Sequence, residues 1–208
     1  MQTDQGIIYV VDDDSTVCRS IELMVQAMGL STQSFSSAEQ FLTSVTEEPH
    51  GCLITDIRML GMSGLQLLKE INGMKWQLPV IVVTGYGDVR LAVESFKAGA
   101  FTFLEKPYRE QELWDTIVQA LAKSQTSHDE RQFKLQVKEN LSKLTPEETK
   151  VLRELLNSTP LKTIAVKMHF SLRTIDLRRK SILDKFNVAT NIELTRMITK
   201  AGIEFNDA

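Results

Sequence analysis

Short apolar runs alternate with amphipathic stretches through the first half of the chain. Residues 7–11, 53–55, 80–83 and 101–104 are apolar and bounded by turn formers, which predicts buried strands; a weaker run, 31–35, fits between the first two. Helical spacing separates them, over 15–28, 38–44, 65–72, 89–98 and 111–123. In the first of these, Val17, Ile21, Met24, Val25 and Met28 recur at i, i+4, i+7, i+8 and i+11, one face of a helix. Strand–helix alternation repeated five times predicts an α/β fold, an open parallel sheet with helices on both faces. Gly29, Gly73 and Gly99 fall where helices should stop.

Beyond Lys123 the pattern changes. A polar stretch, KSQTSHDERQ, leads to Phe133, Val137, Leu141 and Leu144, spaced by 4, 4 and 3. That spacing predicts a short amphipathic linker helix or, alternatively, an extension of the helix before it. From Thr145 onward only helical patterns occur. Thr145, Pro146 and Glu148 form an N-terminal signature of cap, first-turn proline and capping-box acid. Further helices are predicted over 161–168, 171–186 and 191–201, an all-α end of four helices. The expected organisation is 1–123, a linker over 124–141, and 142–208.

Charge separates the same halves. Residues 1–123 carry nine Lys/Arg against sixteen Asp/Glu, a net of −7; residues 124–208 carry fifteen against eleven, a net of +4. An acidic domain followed by a basic one points to a polyanionic partner for the second. No apolar run approaches the roughly 20 residues of a membrane span, and the N-terminus lacks a basic n-region, so no signal peptide and a cytoplasmic location are expected. Cys18 and Cys52, far apart in apolar contexts, are expected to be reduced thiols. His50, His128 and His169 show no metal-ligand spacing and are expected in surface or capping roles.

The candidate chemistry lies at the strand ends. The first strand ends at Asp12 and Asp13, the third at Asp56, the fourth at Thr84 and the fifth at Lys106. In a parallel sheet these tips share one edge, where ligand sites of open α/β sheets lie. Clustered carboxylates repel unless a cation joins them, and Mg²⁺ (or Mn²⁺) takes such oxygen ligands while keeping waters for a phosphate. A metal, a nucleophilic carboxylate, a hydroxyl and a lysine are the parts needed to move a phosphoryl group onto Asp56. The plainer alternatives are that Asp56 caps a turn and that Lys106 forms an ordinary ion pair. P-loop and G-x-G-x-x-G patterns are absent, so no ATP site is expected.

The motifs VVDDD, TDIRMLGMSG, VTGYGD and FLEKPY resemble, in order and spacing, those of two-component response-regulator receivers over residues 1 to about 123. The resemblance implies a five-stranded, doubly wound, flavodoxin-like receiver. It implies that Asp56 is the phosphoacceptor and that Asp13, Asp56 and the Arg58 backbone carbonyl bind Mg²⁺ directly, with Asp12 acting through water. Thr84 and Phe103 would be the switch pair and Lys106 the family's lysine. Arg58 and Tyr86 would overhang the phosphoryl group. Leu60 departs from the family, where a proline is usual.

The second half resembles the LuxR-type helix-turn-helix of the NarL/FixJ subfamily over roughly 142–203, through LTPEETKVL, KTIAVKMHFSLRTID and ILDKFNV. Wound as a helix, residues 171–186 place Arg173, Asp176, Leu177, Lys180 and Asp184 in one quadrant. Ile175, Ile182 and Phe186 fall opposite, with Leu172 and Leu183 at the margin. Arg179 falls in the apolar arc and must snorkel or pair. By position, Asp176, Leu177 and Lys180 would face bases, and Lys162, Arg173, Thr174 and Arg178 would contact phosphates. Asp176 either accepts from a cytosine amine or pairs with Arg173 or Lys180 and only weakens DNA affinity. The resemblance implies a transcription regulator charged by a sensor histidine kinase, dimerising on phosphorylation and binding promoter DNA, with RNA polymerase a further partner. An aspartyl phosphatase or phosphotransferase is the enzyme alternative, but no second acid stands two residues after Asp56. A third alternative is a helical end that binds protein, not DNA.

Overall fold

A computed structural model describes residues 6–85 and 89–203. Five strands, β1 (Ile7–Val11), β2 (Ser31–Phe35), β3 (Gly51–Asp56), β4 (Val80–Thr84) and β5 (Thr102–Glu105), pair in the order β2-β1-β3-β4-β5, all parallel. Between them run α1 (Ser15–Ala27), α2 (Ala38–Ser44), α3 (Gly64–Gly73) and α4 (Val89–Lys97). After β5 come α5 (Glu110–Ser142), α6 (Pro146–Leu156), α7 (Leu161–Lys167), α8 (Leu172–Phe186) and α9 (Asn191–Lys200). The chain divides into two compact units, Met1–His128 and Asp129–Ala208.

Alternation along the strands builds two cores. Ile8, Val10, Cys52, Ile54, Ile81 and Val83 face Ile21 and Val25 of α1 and Leu113 and Ile117 of α5. Tyr9, Val11, Leu53, Val80 and Val82 face Phe41 of α2 and Leu67, Leu68 and Ile71 of α3 on the other side. The period of two sends successive side chains to opposite faces, so a doubly wound sheet follows from the apolar runs themselves. Cys18 and Cys52 are free and buried. Burial pushes the Cys52 thiol up to about 12 and, with Asp12 nearby, raises that of Cys18.

Helix α3 ends at Gly73, where a stop is expected, and the left-handed turn that follows falls on Lys75 at φ 60°. Of the two readings of the stretch after Lys123, the structure shows the extension: α5 runs unbroken to Ser142, with no separate linker helix. Its last turns supply Val137, with Phe133 and Leu141, to the core of the second unit. There they meet Val151, Leu152, Ile164, Ile175, Ile182, Phe186, Leu194 and Ile198 from α6 to α9.

Candidate functional site

The parallel register brings the expected strand tips to one edge. Asp56 ends β3 and Thr84 ends β4; Asp12 and Lys106 lie one residue past β1 and β5. Lys106 Nζ sits between two carboxylates, 2.9 Å from Asp12 Oδ2 and 3.2 Å from Asp56 Oδ1. Asp12, Asp56 and Thr84 are buried. The remaining carboxylate oxygens are held by main-chain donors: Asp14 N to Asp12 Oδ1 at 2.9 Å and Arg58 N to Asp56 Oδ2 at 2.6 Å. The loop after β3 is shaped for this, since a Cβ on Gly64 would run into the Asp56 carbonyl oxygen.

Asp13 is exposed, and Leu60 N donates to its Oδ2 at 3.0 Å. A proline at position 60 could not make that bond, having no N–H. The departure at Leu60 therefore ties the loop to Asp13 through a donor the usual residue lacks. Tyr86 lies outside the described residues. Phe103 aligns with Val82 across β4 and β5, and Thr84 aligns with Glu105. Two residues apart along β4, Val82 and Thr84 face the same side, which puts Thr84 and Phe103 on one face of neighbouring strands.

Burial pushes the Asp56 carboxyl above its ordinary range, against the pull of the Lys106 ammonium and the Arg58 N–H, with Asp12 repelling it further. Burial opposes the charge on Lys106, yet Asp12 and Asp56 outweigh it and raise its pKa. One ammonium thus serves two buried acids and leaves the pair short of positive charge. Among the described residues no three His, Cys, Asp or Glu side chains form a metal cage. Mg²⁺ needs none: one or two carboxylates with water suffice, and the donors here are all oxygen. The residues fit that ion.

The second unit holds the basic surface. Helices α7 and α8 are joined by a turn in which His169 adopts φ 56°. Ser171 caps α8, its Oγ accepting from Thr174 N at 3.1 Å and lying 2.8 Å from Thr174 Oγ1. Ile175, Ile182, Leu183 and Phe186 are buried, while Leu177 is 59% exposed. Leu172, expected at the margin of the apolar side, is 45% exposed, while Ile175 one turn on is fully buried. Lys162, Arg173 and Lys180 are exposed. Arg178 is partly covered, its guanidinium 4.0 Å over the Phe170 ring. Arg179 pairs, donating to Asp176 Oδ1 from Nε at 3.1 Å and Nη2 at 2.9 Å.

Two clusters escaped the sequence reading. His50 and His128, expected at the surface or in caps, stack with ring centroids 4.4 Å apart. Their separation along the chain left no local signal. Glu148, recognised only as a capping-box acid, is buried and also accepts from Ser181 Oγ and Lys185 Nζ, each at 2.6 Å. Burial alone would raise its pKa, but Lys185, Ser181 and the Thr145 N–H outweigh it and hold the carboxyl at about 2.

Residues 8–118 match the response regulator receiver domain, and residues 142–198 match the luxR family of bacterial regulatory proteins. The transcriptional regulatory protein FixJ of Azorhizobium caulinodans is 37% identical over 94% of this chain and 93% of its own. The response regulator protein TodT of Pseudomonas putida is 37% identical over 95% of this chain and 87% of its own. The solved structure of the response regulator StyR is 32% identical, with a TM-score of 0.85 over 93% of this chain and 98% of its own. No helix among the described residues is long and apolar enough to cross a membrane.

Proposed function

This chain belongs to the response regulators that join a receiver to a LuxR-family DNA-binding domain, and from that membership we propose that a sensor histidine kinase charges it on Asp56. The observation that carries the proposal is the Lys106 ammonium set between the buried carboxylates of Asp12 and Asp56. An Asp56 carboxylate oxygen attacks phosphorus, the P–N bond of the phosphohistidine breaks, and its electron pair leaves on the imidazole nitrogen. Asp12, Asp13, Asp56 and the Arg58 carbonyl would hold Mg²⁺ or Mn²⁺, which neutralises charge on the transferring group. Lys106 moves its hydrogen bond from Asp56 to a phosphoryl oxygen, and the Thr84 hydroxyl donates to another.

The added charge of about −2 draws Thr84 inward, and Phe103 turns into the space it leaves. The surface of α4 and the first half of α5 changes with them and dimerises, presenting two recognition helices to a pair of promoter half-sites. The protein acts in the cytoplasm, where the DNA-bound dimer contacts RNA polymerase. The receiver catalyses only the gain and loss of its own phosphoryl group. Within α8, Asp176, Leu177 and Lys180 face bases; Arg173, Thr174 and Arg178 of α8 and Lys162 of α7 lie toward phosphates, with Arg178 leaving its Phe170 stack to reach one.

Intact-mass measurement after acetyl phosphate and Mg²⁺ treatment tests the phosphoacceptor. The wild type gains one phosphoryl group and Asp56→Asn gains none. Unchanged phosphorylation of Asp56→Asn would refute the assignment.

A further inference from the structure

We propose that Asp176, held from one side by Arg179, reads a cytosine in the operator; the inference rests on the DNA-binding reading above. An acid on a DNA-facing helix is repelled by phosphates, so its presence needs a reason. Arg179 sends both of its bonds, from Nε and Nη2, to the same oxygen, Asp176 Oδ1. A plain ion pair of maximal strength would engage both oxygens with the planar fork. Here the second oxygen, Oδ2, has only Lys180 Nζ, at 3.8 Å, beyond hydrogen-bond reach. A carboxylate oxygen has two lone-pair sites, so Oδ2 keeps its capacity to accept.

The surroundings suit that use. The Arg179 side chain is 25% exposed, while Lys180, on the open face with Leu177, is 62% exposed. Arg179 therefore anchors the carboxylate from the core side of α8, and Asp176, Leu177 and Lys180 share the solvent side. The trio Asp176, Arg179 and Lys180 sums to +1, which offsets repulsion of the acid by the DNA backbone. In the major groove a carboxylate accepts from cytosine N4, and a lysine donates to guanine O6 or N7. Asp176 and Lys180 lie one helical turn apart, so the pair fits a cytosine with a guanine in the same or the neighbouring base pair. Arg179 is the positioning residue and touches no base.

The test is selection from random duplexes by the full chain with phosphodonor, at fixed salt, comparing wild type, Asp176→Ala, Arg179→Gln and Arg179→Lys. Wild type should select cytosine at one position of each half-site. Asp176→Ala should lose that preference by roughly five- to hundredfold and leave other positions intact. Arg179→Gln should relax the same position, and the double variant should add little to either single one. If Arg179→Gln melts early, Arg179→Lys, which keeps the charge but not the paired donors, should relax that position in part. Equal gains in affinity for all sequences on Asp176→Ala would overturn base reading. Relaxation by Asp176→Ala with no change at that position in either Arg179 variant would overturn the positioning role. A wild type that enriches no sequence and shows no salt-dependent affinity for duplex DNA would overturn DNA binding itself.

Discussion

Single side chains divide by whether their partners are local or distant. Asp12, Asp56, Thr84 and Lys106 are legible because each ends a strand or lies one residue past one, and parallel strands must bring their tips to one edge. Glu148 was legible as a capping acid through Thr145, three residues away; its bonds to Ser181 and Lys185, 33 and 37 positions on, were not. Those bonds carry a pH prediction. The Glu148 carboxyl is held at about 2 against an ordinary 4.5. A lowered acid pKa contributes stability that is complete above about pH 4.5 and lost as pH falls toward 2. The shift corresponds to about 3 kcal/mol in the second unit. Glu148→Gln should lower its melting temperature at pH 7 and remove that part of the acid sensitivity, as followed by thermal melts between pH 7 and 2. Equal losses on acidification in both proteins would contradict the role given to Glu148.

At the scale of elements, the apolar periods located all five strands, with β5 shifted by one residue to Thr102–Glu105. The alternation that sorts Ile8 and Val10 from Tyr9 and Val11 is a property of the strand itself, so the two cores could be read in advance. The end of α5 could be read only as one of two alternatives, an extension of the helix or a separate one. Its polar middle, around SQTSHDERQ, carries no apolar stripe, and its continuity to Ser142 depends on the second core taking Val137 and Leu141. The start of α8 rests on local chemistry, the Ser171 cap. Ser171→Ala should cost about 1 kcal/mol of stability, measured by urea unfolding of the second unit's transition. Gly64→Ala should cost more than that, because its new methyl must displace the backbone at Asp56.

For the whole molecule, the charge split between the halves anticipated two domains of different partners. The matches at residues 8–118 and 142–198 fall on the acidic and basic parts respectively. Under the proposed function, phosphorylation of Asp56 alters what the second domain does on DNA. Sedimentation equilibrium of the full chain with beryllofluoride, a phosphoryl mimic, should show a monomer-to-dimer shift that Asp56→Asn lacks; an unchanged mass over a wide concentration range would contradict dimerisation. The switch as a whole is tested most directly by titrating full-length protein into a duplex obtained by selection, with and without phosphodonor, for wild type and Asp56→Asn. The account predicts that the donor tightens sequence-specific binding by wild type alone, with affinity falling as salt rises. Equal tightening of Asp56→Asn, or donor-independent binding by the wild type, would contradict it.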